Sequence, residues 1–300
     1  MKSYGKKKNK NKAAEPLPTL SDSLWSDIIR RLNRNKIAVA GLLIFVIICL
    51  ACAMAPYLTK WQYYAINVDD RKSGPTLTHL LGTDNLGRDL FTRLLYGGRI
   101  TLKITFVSTA LAAVIGGIAG LAAGYIGKKA DFIISPILDM LASIPVILLA
   151  IVAETVFGWG RGYFMYAIAI AAVPKFARIV RAAVLEIMGR EYIEASRALG
   201  VSHAGIIFRH VLHNVAPPFI VRFTSCAAET LLTCTVMGYL GIGINPPTPE
   251  WGVIVQDAKA FSRTKPFMII IPCIVITITV ISISLFGDGL QDALDPANGS

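Results

Sequence analysis

Charged residues are scarce in this chain. Asp, Glu, Lys and Arg make up only 16% of its 300 residues, whereas they make up about 25% of an average soluble domain. Hydrophobic residues account for 54%, and the mean hydropathy is +0.57. Several apolar runs are longer than the ~18 residues that indicate a bilayer-spanning helix. The composition therefore excludes an ordinary soluble domain and predicts an all-α polytopic protein of the lipid bilayer.

The chain also lacks the motifs that would give it an energy source or a catalytic centre of its own. A P-loop needs GxxxxGK followed by Ser or Thr, so that backbone amides and a lysine hold phosphates. The nearest sequence is Gly127-Lys128, with Lys129 in the place of Ser or Thr and Ala122 at the first glycine position. There is no HExxH, no GxSxG and no transmembrane Ser/His couple. We therefore expect no catalytic residue and no cofactor in this chain, and the energy for its function is expected from another chain.

Acidic residues are outnumbered by basic ones, 19 to 30, and the formal net charge is +11. Ten of the basic residues lie between Lys2 and Lys36. Basic residues beside an apolar span hold that end in the cytoplasm, so this positive charge does not predict nucleic-acid binding. By the same rule, the basic residues between Lys175 and Arg222 predict a second cytoplasmic region.

The cysteines do not form a recognisable redox or metal site. There are five: Cys49, Cys52, Cys226, Cys234 and Cys273. All fall in apolar segments, and the CxxC formed by Cys49 and Cys52 lies inside a predicted span. Thiols in such positions are typical packing residues, so no metal is expected on them.

The apolar runs predict six transmembrane helices, and hence both termini on one side, the cytoplasm. The spans are expected at 37–55, 101–125, 132–157, 163–180, 218–239 and 267–286. Residues 37–286 would form the transmembrane domain. A disordered basic tail at 1–23 and an amphipathic interfacial helix at 24–36 would precede it, and a cytoplasmic tail at 287–300 would follow.

Acidic side chains inside the spans are candidate pathway residues. A charge at mid-bilayer costs about 2.5–3.5 kcal/mol on insertion scales, so such a side chain faces protein or water. Asp139 lies between Pro136 and Pro145, which are expected to interrupt the third span. It would either line a translocation pathway or bond another helix. For Glu229 the bond to another helix is favoured over the pathway. Glu154 is expected near a span end, at the outer surface of the protein, without a special role.

Three glycines in the second span predict a helix contact. Gly116, Gly120 and Gly124 are four residues apart, so they share one helix face. Missing side chains let a neighbouring helix approach closely. We expect this face to pack against another span.

The connection between the fourth and fifth predicted spans is polar and basic. A helix-like run at 191–199 ends at Gly200, and a second run at 202–214 is expected to stop before Pro217 and Pro218. Two short helices that meet at a glycine outside the bilayer suit docking to a soluble partner better than they suit chemistry.

Three histidines of this connection are spaced so that one helix could gather them. They are His203, His210 and His213. A metal site is one interpretation, but no carboxylate or cysteine of the loop supports it. We expect side chains that face water or a partner.

The motif Glu194-Ala195-Ser196, with Gly200 after three further residues, resembles the EAA loop of ABC-importer permeases. The resemblance implies that a loop at about 186–216 forms coupling helices, which insert into a groove of a cytoplasmic ATPase subunit. The coupling residues would be Glu194, Ala195, Ser196, Arg197, Leu199 and Gly200. The family pattern ends in I-x-L-P, and those positions here read His210, Val211, Leu212 and His213. A histidine thus replaces the proline.

Further motifs narrow this resemblance. In chain order they are TDNLGRDLFTRLLYGGRITL, LDMLASIP, EASRALG, GYLGIGINPPTPEWG and LFGDGLQDALDP. Together they are similar to the C-type permease subunit of dipeptide, oligopeptide and nickel ABC importers, over residues 24–296. The resemblance implies the type I ABC-importer permease fold in the inner membrane of a bacterium or archaeon.

The resemblance also implies a set of partners. A second, homologous permease would complete the pathway for di- or oligopeptides. Two ATPase subunits would carry ATP and Mg²⁺, and an external substrate-binding protein would deliver the solute. Import of nickel or a metal chelate is the alternative within the family. A secondary transporter is the alternative outside it, but it would show two matched halves, and no internal repeat is evident.

A proline-rich connection joins the last two predicted spans. Pro247 belongs to it, and Trp251 suits the membrane interface. The resemblance implies an outer gate or a surface that meets the binding protein, and a plain rigid loop is the alternative.

Overall fold

The computed structural model describes residues 30–159 and 162–294. Regular structure in these residues is helical, apart from one isolated bridge between Thr83 and Asp89. The main helices are α1 (Lys36–Ala53), α2 (Leu90–Ile126), α3 (Lys128–Ser143), α4 (Val146–Phe157), α5 (Phe164–Met188), α6 (Glu191–Ala198), α7 (His203–Tyr239), α8 (Trp251–Ala258) and α9 (Phe267–Leu294). The tail predicted at 1–23 lies outside the described residues. So does most of the helix predicted at 24–36, of which residues 30–34 are helical.

Hydropathy identifies four or five membrane spans in the described chain. Helices α1, α2, α7 and α9 are each long and apolar enough, and α3 with α4 forms a fifth candidate that is bent by 87°. The fourth predicted span, 163–180, corresponds to α5, which has 25 residues but carries Lys175, Arg178 and Arg181. Helix α5 therefore has the length of a span without the composition of a lipid-facing one.

The bend between α3 and α4 confirms that the third span is interrupted. Ile144 is extended, with ψ 122°, and Pro145 precedes the first residue of α4. Proline disfavours the helical conformation for the residue before it, and α3 ends at this point. Pro136, in contrast, is accommodated inside α3.

Helix α2 is longer than the predicted second span. It begins at Leu90 rather than at 101, because the Asp89 side chain accepts a hydrogen bond from the Thr92 N–H at 2.7 Å. That carboxylate satisfies one of the unpaired donors of the first turn. The expected polar connection is therefore helical over its last ten residues, 90–99.

The glycine face of α2 packs against α5, as predicted. A Cβ at Gly116 would lie 2.5 Å from the Val173 carbonyl oxygen, and one at Gly120 would lie 2.4 Å from that of Ala177. These two helices share the most extensive contact in the described chain. The backbones approach so closely because the glycines have no side chain between them.

Alanine should be harmful at Gly120 and tolerated at Gly117. Ala favours a helix interior by about 0.5–1 kcal/mol over Gly, but overpacking costs about 1–3 kcal/mol. We therefore expect Gly120→Ala to lower the thermal unfolding midpoint of the purified protein. Gly117→Ala is the matched control, because its Cβ would meet the edge of the Phe219 ring at 3.3 Å. Equal midpoints for the two variants would contradict the close α2–α5 contact.

Helix α9 crosses the boundary predicted at 286 without a break. It continues to Leu294, and Gly287, Gly289 and Leu290 are buried. A Cβ at Gly289 would lie 2.1 Å from the Cβ of Ala38, at the start of α1. The first and last helices of the described chain thus pack together at this end.

Candidate coupling segment and translocation face

The coupling segment comprises residues 191–215: α6, a turn and the first part of α7. Helix α6 ends at Ala198, and Gly200 has φ +80°. Residues other than glycine adopt this left-handed conformation at a cost. The Ser202 hydroxyl then accepts a hydrogen bond from the Gly205 N–H at 3.2 Å and caps α7. A glycine turn and a serine cap thus define the two-helix shape that the sequence predicts.

The inner face of the coupling segment is fixed to the last part of α5. It buries Ile193 of α6 together with Ile206, Val211 and Val215 of α7. These side chains pack against Val180, Val184 and Ile187, in the last part of α5. Since burial of an aliphatic side chain contributes about 1.5–3 kcal/mol, the segment is held to the body of the protein as a rigid unit.

The outer face of the segment exposes apolar side chains next to a carboxylate. Leu199 is 85% exposed and Phe208 is 73% exposed. The predicted coupling residues Glu194, Ala195, Arg197, Leu199 and Gly200 are also exposed, whereas Ser196 is half-buried and its hydroxyl donates to the Tyr192 carbonyl. Exposed apolar groups rimmed by polar ones are typical of protein–protein contacts. Phe208 was not among the predicted coupling residues, and it lies in a run that mixes apolar residues with Arg209 and His210.

The end predicted for the second coupling helix is wrong. Helix α7 does not stop before Pro217 but runs without interruption from His203 to Tyr239, with one wider π turn at Ile207–Val211. Pro217 and Pro218 lie inside it. Each proline removes one backbone hydrogen bond, but the packing of Val215 and its neighbours holds the helix across this loss.

The three histidines of the segment do not converge. The Tyr125 hydroxyl lies 2.8 Å from Nδ1 of His203, and the His210 ring lies 6.0 Å from that of Tyr192. His213 is exposed on the first turn after the π turn, and the helix continues past it. Among the described residues no three His, Cys, Asp or Glu side chains form a metal-binding group.

A charged face runs along α3, α5 and α7. It consists of Asp131, Asp139, Lys175, Arg178, Arg181, Arg222 and Glu229. The three basic residues of α5 form ion pairs with other helices, and Arg222 pairs with Glu229 within α7. Lys175 Nζ lies 2.5 Å from Glu229, and an Arg178 nitrogen lies 2.8 Å from Asp139. Asp139 and Glu229 therefore both bond another helix, which is one of the two roles expected for these carboxylates.

These ion pairs are exposed on the surface of the isolated chain. The side chains of Lys175 and Glu229 are 48% and 45% exposed, and those of Arg178 and Asp139 are 57% and 67% exposed. Charged side chains within spans face protein or a water-filled cavity rather than lipid. This face is thus unsuited to lipid, in contrast to α1 and α9, whose surfaces are apolar.

A small cavity lies beside the Lys175–Glu229 pair. Its volume is about 60 Å³, well below the ~300–1,000 Å³ of typical ligand pockets. Val146, at the start of α4, contributes to its wall, together with Cys226 and Thr230 of α7. The cavity places the ion pair next to the bend between α3 and α4.

A buried ionic cluster holds the opposite end of the protein together. Arg88 Nε donates to Asp84 at 2.6 Å, and Arg93 also donates to Asp84. Both arginines reach Asp257 of α8, at 3.2 Å and 3.0 Å. This cluster was not predicted, although the repeated pairing of Asp and Arg in TDNLGRDLFTR is a signal for it. It joins the start of α2 to α8.

Trp251, expected to suit the membrane interface, does not face the surface of the described chain. It is fully buried, and its indole N–H donates to the Leu94 carbonyl oxygen at 2.9 Å. Pro247, four residues earlier, is exposed. Between them Glu250 is buried and caps α8 by accepting from the Val253 N–H at 3.2 Å. Burial raises the pKa of the Glu250 carboxyl.

Glu154 is also buried, contrary to the expectation that it lies at the surface. Its carboxylate accepts a hydrogen bond from the Phe164 N–H at 2.9 Å. A carboxylate at the first turn of a helix satisfies an unpaired donor and the helix dipole. Glu154 thus has a structural role, connecting α4 to the start of α5.

Residues 116–299 match the family described as the binding-protein-dependent transport system inner membrane component. The chain belongs to this family of ABC-importer permeases. Residues 23–75 match the N-terminal transmembrane domain of oligopeptide transport permease C. The C-type resemblance is thereby confirmed, and the chain is a multi-pass transport permease subunit.

Relatives of this permease cover almost its whole length. The dipeptide transport system permease protein DppC of Alkalihalophilus pseudofirmus is 38% identical over 274 residues, which is 91% of this chain and 90% of that protein. The oligopeptide transport system permease protein OppC of Bacillus subtilis is 34% identical over 283 residues, 94% of this chain and 93% of that protein.

A solved structure has the same fold. The inward-facing MetNI methionine ABC transporter is similar with a TM-score of 0.55 and 25% identity, over 67% of this permease and 96% of that chain. This similarity confirms the predicted permease fold of ABC importers.

Proposed function

We propose that this permease is one of two different permease subunits of an ATP-driven peptide importer. The observation that carries the proposal is full-length similarity to dipeptide and oligopeptide permeases. The second permease completes the pathway, two cytoplasmic ATPase subunits bind ATP and Mg²⁺, and an external binding protein delivers the peptide. Both termini lie in the cytoplasm, with the coupling segment on the same side.

The coupling segment is where the ATPase acts. Its exposed Leu199 and Phe208 fit an apolar groove, a recurrent way of recognising a short helix. Because Ile193 and Val211 fix the segment to α5 and the segment continues into α7, movement of the ATPase subunits moves these two helices as a body. Such rigid-body motion changes the access of the pathway from one side of the membrane to the other.

The charged face lines the pathway and faces the second permease. Its ion pairs are half-exposed in this chain alone, and water or the partner would supply the polar surroundings that they need. Asp139 and Glu229 belong to this lining. The exposed loop at Pro247 lies at the outer end, where it would meet the binding protein.

Uptake by the assembled complex tests the proposed function. We expect the tagged permease to co-purify with a second permease and the ATPase subunits. In proteoliposomes with the binding protein, that complex should take up a labelled dipeptide only when ATP is present. Unlabelled dipeptides and longer peptides should compete, and nickel chelates should not. Competition by nickel chelates alone would instead support the metal-importing alternative.

A further inference from the structure

The basic residues of the charged face form a regular row along α5. Lys175, Arg178 and Arg181 are three residues apart, so each lies about 4.5 Å further along the helix than the last and about 60° around it. This rotation explains their partners: Lys175 pairs with α7, whereas Arg178 and Arg181 pair with α3. Helix α5 ends next to the coupling segment, so the row leads from mid-span to that end.

The pairs of this row differ in strength. Arg181 binds Asp131 through two parallel bonds of 2.5 Å and 2.6 Å, and Ser135 donates to the same carboxylate. Arg178 makes a single bond to Asp139. Two-bond arginine–carboxylate pairs are stronger and more rigid than one-bond pairs. The Arg181–Asp131 pair therefore holds α3 to α5. The pairs made by Lys175 and Arg178, nearer mid-span, are able to exchange partners.

Glu229 keeps a second partner if Lys175 turns away. Arg222, one of the less exposed members of the face, lies 3.3 Å from the same carboxylate. An acidic side chain left alone within a span would be costly. Because Arg222 remains, Lys175 can bind another carboxylate without leaving Glu229 unpaired.

The overall charge of the face fits a solute that carries both signs. Four basic and three acidic side chains form it, an excess of one positive charge. A free metal cation would meet net repulsion there. A peptide with a free amino and a free carboxyl terminus would meet a partner for each end. An extended dipeptide spans about 7 Å, more than the ~4.5 Å between successive basic residues.

We propose that the Lys175–Glu229 and Arg178–Asp139 pairs open to bind the two termini of a passing peptide, whose carboxylate moves from Lys175 to Arg178. This inference rests on the proposed function and names the residues that recognise the solute inside the membrane. The peptide ammonium replaces Lys175 at Glu229 and then Arg178 at Asp139. Because an extended dipeptide is longer than the distance between successive basic residues of α5, its carboxylate reaches Arg178 while its ammonium is still at Glu229.

Three forms of one dipeptide test the proposal in the complete complex in proteoliposomes. They are the free peptide, the N-acetylated peptide and the C-amidated peptide, each at a concentration that saturates the binding protein. Maximal uptake then reports the steps after delivery. Lys175→Met should slow the free and N-acetylated forms about 10- to 100-fold, as expected for losing one hydrogen bond to a charged group, and should spare the C-amidated form.

The complementary variant should show the reverse pattern. Glu229→Gln should slow the free and C-amidated forms and spare the N-acetylated one. Lys175→Arg should restore uptake of all forms, and Lys129→Met, which removes an exposed lysine from the first turn of α3, should leave it unchanged. ATPase stimulation by the loaded binding protein, measured in parallel, shows that each complex is assembled.

Two results would overturn the inference. Equal slowing of all three forms by both variants would make the pairs merely structural, and unchanged uptake of all forms would make them irrelevant. Failure of the unsubstituted complex to transport any peptide is a different result, because it would overturn the proposed function itself.

Discussion

A Glu194→Lys permease should assemble with its partners and yet take up no peptide. Glu194 is exposed on the outer face of α6, so its replacement leaves the buried anchors of the coupling segment intact. A reversed charge inside a protein contact costs several kcal/mol, because like charges are brought together. We therefore expect uptake to fall at least ~100-fold, together with stimulation of the ATPase by the loaded binding protein.

The matched control for this variant is Glu191→Lys. Glu191 is also exposed on α6, but it lies at the first position of the helix, outside the predicted EAA motif. It should retain most of the uptake. Undiminished uptake in Glu194→Lys, with normal ATPase stimulation, would rule out a coupling role for this side chain.

An Arg93→Met permease should be severely destabilised. Arg93 is almost completely buried, and with Arg88 it neutralises Asp84 and Asp257. Its loss leaves one buried negative charge in excess. Removing one partner of a buried ion pair costs about 3–5 kcal/mol, a large part of the stability of most proteins. The thermal unfolding midpoint of the purified protein in detergent should fall accordingly.

A second substitution separates charge from packing in this experiment. Adding Asp257→Asn to Arg93→Met restores neutrality to the cluster, so the double variant should unfold at a higher temperature than Arg93→Met alone. Arg99→Met, at an exposed position of the same helix, should have little effect. If the double variant is no more stable than the single one, the cluster does not act through its charge balance.

The helical architecture was largely predictable, because span length and glycine spacing are local properties of the chain. Proline chemistry likewise predicted the bend at Pro145, but it misled at Pro217. There the outcome depends on tertiary packing around Val215, which no local rule describes. For the same reason the hydropathy criterion does not count α5 as a span. Its charged side chains lower its hydropathy, and the helices that carry their ion-pair partners are distant in sequence.

The contacts between charged side chains were less predictable. Asp139 and Glu229 could be singled out by their position in apolar runs, but their partners on α5 could not, since pairing depends on which helices are neighbours. Trp251 and Glu154 were misjudged because residues near span ends can turn inward as easily as outward. Their partners are backbone groups, which leave no trace in the sequence.

In the proposed arrangement, the unbroken helix α7 connects the two sides of the membrane. Its 37 residues extend over about 55 Å. At its far end, a Cβ at Gly238 would lie only 2.0 Å from the Glu250 carboxylate, so the helix touches the outer connection directly. Thermodynamic coupling between two sites is reciprocal. Docking of the binding protein at the outer connection should therefore strengthen nucleotide binding on the other side of the membrane. Nucleotide binding should in turn strengthen docking of the binding protein.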